Sequence, residues 1–183
     1  MPVQLRATYP TPAHRRAAAG VVAFFRARAE VDAVLLVGSC TRAKGYQDID
    51  FAVLIRADAT NGARQALQTD WDAFNAADAA MQGVRDLGEF GRVDMDFIDG
   101  VFTPHERGWT SGPSAYELEL GNYIAYSLPL FERGSRYAEL REEHLPYYAE
   151  ELAARRLAAA RKYCLNNISH VHTFVERGSR QPE

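Results

Sequence analysis

The stretch VLLVGSCTRAKGYQDIDFAVLI, Val34 to Ile55, is the most informative part of the chain. An apolar run closes on Gly38-Ser39, a polar stretch follows, and Asp48-Ile49-Asp50 opens a second apolar run. Short apolar runs bounded by glycine and polar residues read as buried strands. Strands are therefore expected from Ala33 to Val37 and from Ile49 to Ile55, joined by a turn and a short helical or irregular stretch reaching Gly45. Residues two apart in a strand share a face, about 6–7 Å from each other along the chain. Asp48 and Asp50 then stand together while Ile49 and Phe51 turn to the core. Carboxylates that close repel and raise each other's pKa unless a cation compensates.

Working outward, Thr11-Pro12 reads as a helix start, with proline at the first helical position and the helix running to about Glu30. Downstream, Leu67, Trp71, Phe74 and Met81 recur at helical spacing, so one amphipathic helix is expected from Asn61 to about Arg85. GRVDMDFID, Gly91 to Asp99, alternates strictly. Val93, Met95 and Phe97 take one face of a strand, and Asp94, Asp96 and Ile98 take the other. Beyond Gly112 the chain reads as helical, from Ser114 to about Ser127 and from Arg136 to about Arg177, with Leu145-Pro146 as a break or fresh start. The order is that of an α/β (α+β) domain over residues 1–110 and a C-terminal α-helical region over 111–183. The boundary falls in the Gly-, Pro- and Thr-rich segment from Phe102 to Pro113. The polar end, VERGSRQPE, is expected to be disordered.

The 183 residues suit one domain, or one domain with a helical appendage. With 21 basic and 24 acidic residues the net charge is -3, and no basic excess points to nucleic acid. Cys40 and Cys164 lie far apart, without zinc or disulfide spacing. The N-terminal residues lack the apolar core of a signal peptide, and no apolar run is long enough for a membrane span. A cytoplasmic location is expected.

Hard oxygen ligands such as Asp48 and Asp50 suit Mg²⁺, which is commonly held by one or two carboxylates together with substrate phosphates. Gly38-Ser39 offers the complement. A glycine turn after a buried strand presents backbone N–H groups to phosphate oxygens, and Arg42 and Lys44 follow within reach of the same anion. Each piece alone has an ordinary explanation as a turn, a solvated strand end or a solvated basic face. Their order makes one chemical object of them, a nucleoside triphosphate with its magnesium.

Gly38-Ser39, Asp48-Ile49-Asp50 and a later acidic strand together resemble the nucleotidyltransferase superfamily related to DNA polymerase β, including its minimal and antibiotic-modifying members. The resemblance covers about Val34 to Ile98. It implies a small mixed-sheet domain in which Gly38 and Ser39 bind the triphosphate. It also implies that Asp48, Asp50 and a third acid bind two Mg²⁺ ions. Arg92-Val93-Asp94 matches the family's third acid, so Asp94 is expected in that role, with Asp96 as the alternative. Members often carry Ser where this chain has Gln47 and Gly where it has Ala43.

The acceptor half of the site must come largely from the region after Gly112. Glu89, Glu117 and Glu119 are candidate bases that are also ordinary exposed glutamates, and Asn122 is a weaker one. Tyr116, Tyr123, Tyr126, Tyr147 and Tyr148 read as packing or as an aromatic wall. His144, His170 and His172 have no metal spacing, and Arg155, Arg156, Arg161 and Lys162 read as a solvated face. The expected activity is transfer of a nucleoside monophosphate, AMP by preference, from ATP or another NTP to a hydroxyl of a small-molecule acceptor. An antitoxin-like module that binds and adenylylates a partner protein, or a non-catalytic nucleotide-binding module, are the rival readings.

Overall fold

The computed structural model describes residues 5–45, 47–59, 62–104 and 113–178. Four strands form one mixed sheet: β1 (Val31–Val37), β2 (Ile49–Ile55), β3 (Val93–Ile98) and β4 (Leu128–Glu132). Their order is β3-β2-β1-β4. β1 runs antiparallel to both β2 and β4, and β2 runs parallel to β3. β1 and β2 are buried on both faces, as their nearly unbroken apolar runs require.

Two cores follow from the alternation of side chains. On one face, Val34, Leu36, Ile49, Phe51, Val53 and Phe97 meet α1 (Pro12–Arg26), α2 (Ala63–Ala77) and α3 (Ala79–Arg85). Phe25 stacks on Trp71 at 5.5 Å between ring centres. On the other face, Ala33, Leu35, Val37, Ala52 and Leu54 are covered by Tyr116, Leu120, Ile124, Tyr137 and Leu140. These come from α4 (Ala115–Glu119), from the π-helical turn Leu120–Ala125 that continues it, and from α5 (Arg136–Pro146). A second π-helical turn, Tyr147–Glu151, leads into α6 (Leu152–Gly178).

The structure corrects the sequence reading at four points. α1 ends at Arg26 rather than near Glu30, because β1 begins at Val31. Thr11 does not cap it with its side chain, and Thr11 Oγ1 lies 2.8 Å from His14 Nδ1 instead. The single helix expected to Arg85 is two, broken at Asp78. Its extended backbone lets its carboxylate accept from the N–H groups of Ala80 and Met81, so the break is also the cap of α3. Finally, Leu128–Glu132, left unassigned in sequence, is a strand. Pro129 argues against a central strand, but β4 borders only β1 and the register shifts beside it, between Val34 and Leu35.

β4 and the helices packed on Leu35, Val37 and Leu54 all come from beyond residue 111. The expected boundary loop at 105–112 and the expected disorder at 179–183 lie outside the described residues. No helix among the described residues is long and apolar enough to cross a membrane.

Candidate functional site

Strand parity positions the acids. Ile49 and Phe51 fill one core and Ala52 and Leu54 the other, so Asp50 projects on the face covered by α4 and α5. Asp94 and Asp96 share that face, since Val93 and Phe97 point the opposite way. The parallel register sets Asp50 directly beside Asp94 and sets Asp96 beside Ala52, one step further in. One carboxylate oxygen from each of Asp48, Asp50 and Asp94 comes within 4.8 Å of the others. Asp96 is not part of this group. Its Oδ2 accepts a hydrogen bond from the Tyr123 hydroxyl at 3.0 Å. Arg92 Nε donates to Asp94 Oδ2 at 2.5 Å, which fixes that carboxylate from the solvent side.

Such crowding has an electrostatic signature. Burial pushes Asp50 up to about 6, and the charges of Asp48 and Asp94 add to the effect while Arg92 opposes it. The same neighbourhood drives the Cys40 thiol up to about 11, chiefly by burial, with Asp50 and Asp48 contributing. A cation among the three carboxylates would relieve both the repulsion and the desolvation.

Gly38 is at once the end of β1 and a wall of this cluster. Its φ of +67° is in the left-handed region, and a Cβ there would stand 2.2 Å from Asp50 Oδ2. Only glycine meets both demands. The single 3₁₀ turn Gly38–Thr41 follows and gives way to irregular backbone through Gly45, as expected from sequence. Its Ser39 carbonyl accepts from the backbone N–H groups of both Arg42 and Lys44, each at 3.1 Å. Ser39 Oγ is buried beside the Cys40 thiol and makes no hydrogen bond of ordinary geometry among the described residues. A buried hydroxyl left without a well-formed hydrogen bond is destabilising, and a ligand oxygen at this turn would satisfy it. Arg42 and Lys44 are exposed, and neither forms an ion pair among the described residues. Arg42 places its guanidinium 5.4 Å from the centre of the Tyr126 ring. The donor set thus fits a hard divalent ion with phosphate oxygens: three carboxylates, a glycine approach and a buried hydroxyl.

Ala43 has φ +55°, so the backbone keeps the conformation that glycine favours although alanine occupies the position. Gln47 is held from behind. Its carbonyl lies 3.2 Å from Nε2 of the fully buried His14, which ties α1 to the approach of Asp48. Neither His14 nor the buried Cys40, with Sγ 3.9 Å from the Asp48 carbonyl, carries a local sequence signal. Both contacts are long-range and arise only on folding.

The other candidates separate. Glu117 accepts from the Ser114 N–H as half of a capping box and pairs with Arg156, so it is structurally committed and Arg156 is not merely solvated. Tyr116 and His144 pack in the core. Tyr126 and Tyr148 meet edge to face at 6.0 Å over an open cavity of about 420 Å³.

No protein-family model matches the chain, and no curated protein matches it. One solved structure, described as "Crystal structure of the toxin-antitoxin with AMP-PNP", is 18% identical, with a TM-score of 0.44 over 80% of this chain and 98% of that one. A likeness that slight assigns no function.

Proposed function

We propose that this chain is a magnesium-dependent nucleotidyltransferase, using Gly38, Ser39, Arg42 and Lys44 for the triphosphate and Asp48, Asp50 and Asp94 for two Mg²⁺ ions. The observation that carries the reading is the convergence of the three carboxylates against Gly38, within 4.8 Å of one another, beside the buried Ser39 hydroxyl. Magnesium, when bound, supplies neutralisation of phosphate charge and acidifies a nearby hydroxyl.

The residues themselves do the positioning. The turn at Gly38 lets phosphate oxygens approach the backbone without meeting a side chain. Asp48 and Asp50 would hold both ions, and Asp94, oriented by Arg92, would share the one that activates the acceptor. The acceptor oxygen bonds to the α-phosphorus as the bond to the bridging oxygen breaks. Pyrophosphate leaves, and the hydroxyl proton passes to a base among the surrounding carboxylates.

The preferred acceptor is a small hydroxylated molecule, since carboxylates and the Tyr123 hydroxyl border the site. A protein hydroxyl is the second reading, favoured by the exposed Leu157, Leu165 and Ile168 of α6. Incubation with ATP labelled at the α-phosphate, Mg²⁺ and separate panels of aminoglycosides, tRNA and extracted proteins is the test. Label is expected in a small molecule. Label in RNA alone would overturn the acceptor assignment, and none in any panel would count against transfer itself.

A further inference from the structure

Arg42 opens onto a cavity. Its walls are Arg42, Gly121, Asn122, Tyr126, Tyr148 and Leu152, with the Glu117–Arg156 pair along one side. Its volume, about 420 Å³, is within the range of small-ligand sites. It lies on the same face of the sheet as the carboxylates, because α4, its π continuation and α5 cover that face. Arg42 joins cavity and cluster: it lines the cavity and stands one residue past the Gly38–Thr41 turn.

The construction of the cavity is unusual. Two π turns contribute to its walls, between residues of α4 and α6. Tyr126 N–H donates to the Gly121 carbonyl, and Leu152 N–H to that of Tyr147, each five residues back. Such turns cost hydrogen-bond geometry in a helix and recur at functional sites. The two turns face each other closely enough that a Cβ on Gly121 would stand 3.0 Å from the Tyr148 hydroxyl. Tyr126 and Tyr148 stand at 89° to each other and form an aromatic corner. Asn122, exposed on the same turn, supplies a side-chain amide at the rim.

A corner of two aromatic rings with an amide at its edge fits a flat, hydrogen-bonding heterocycle. We infer that this cavity is the subsite for the base of the nucleotide, with the base stacked on Tyr126 or Tyr148 and Arg42 spanning from the phosphates to the base. The inference rests on the function proposed above and deepens it, assigning the cavity to the nucleotide and not to the acceptor.

The test compares two ligands by calorimetry, Mg·ATP and Mg·tripolyphosphate, on the full chain. Tripolyphosphate has the phosphates without a base. Tyr126→Ala is expected to weaken Mg·ATP by about tenfold or more while tripolyphosphate, which loses only the ring beside Arg42, weakens far less, and Tyr126→Phe to restore ATP. Asn122→Trp, at an exposed position where the fold tolerates bulk, fills the cavity and is expected to do the same as Tyr126→Ala. Unchanged Mg·ATP affinity in both Tyr126→Ala and Asn122→Trp, with transfer to the acceptor lost, would overturn the inference and give the cavity to the acceptor. Equal losses for both ligands would also overturn it. A wild-type chain that binds neither ligand would overturn the function on which the inference rests, and the inference with it.

Discussion

Gly38 and Asp50 are the pair on which the site turns, and each constrains the other. Gly38→Ala places a methyl group 2.2 Å from Asp50 Oδ2 and forces alanine to φ +67°. We expect a loss of about 2 kcal/mol or more in urea unfolding. The double variant Gly38→Ala/Asp50→Ala should lose less than the sum of the single changes, because the clashing carboxylate is gone. Additive losses would show that the close approach is not the cause. The acidity of Asp50 makes a second prediction. Its folded value, about 6, is above the 3.8 of a free aspartate, so between those values the folded chain binds more protons than the unfolded one. Metal-free stability should therefore fall as pH rises from about 4 to about 6. It should level off above that, and Asp50→Asn should flatten the profile. Added Mg²⁺ should reverse the trend, since it competes with the proton for the same oxygens. A metal-free profile that rises through this window in the wild type, and equally in Asp50→Asn, would refute the assignment.

Among the elements, those with strong local signals were legible. Ile49–Ile55 is the strand expected from its apolar run, and Val93–Ile98 alternates as read, with Asp94 and not Asp96 beside Asp50. That last distinction depends on register, which one strand cannot show by itself. β4 was hidden because five residues containing a proline are too short a pattern. The interruption at Asp78 was hidden because a cap inside a helical period looks like a polar position. The cavity between the π turns had no signature beyond scattered tyrosines. The turn after Gly38 carries a further test. Alanine at φ +55° is strained, so Ala43→Gly should raise stability by about 1 kcal/mol in urea unfolding despite glycine's greater unfolded freedom. A destabilised variant would mean that the methyl group contributes packing that outweighs the strain.

For the whole molecule, the sheet is completed from both ends of the chain. β4 covers the edge of β1, and Leu120, Ile124 and Leu140 are fully buried against the face that carries the carboxylates. Removing everything after residue 110 would strip that cover from Leu35 and Leu54 and leave β1 as a bare apolar edge. We expect the shortened chain to aggregate or remain unfolded. The full chain should show a single urea transition, the same by far-ultraviolet circular dichroism and by tryptophan emission, to which the buried Trp71 contributes. Two separated transitions would instead support the division near residue 110 suggested by composition. Core truncation should act on the site from a distance: Leu120→Ala, fully buried, should cost about 2–5 kcal/mol.

As proposed, Asp48, Asp50 and Asp94 form a metal site that works together with a triphosphate. Titration of Mn²⁺ in the presence of a non-hydrolysable ATP analogue, followed by electron paramagnetic resonance, reads that site. The wild-type chain should hold Mn²⁺ when the analogue is present. Asp50→Asn should abolish that binding, and Asp96→Asn, which removes only a partner of Tyr123, should retain it. Mn²⁺ held equally by the wild type and by Asp50→Asn would contradict the claim.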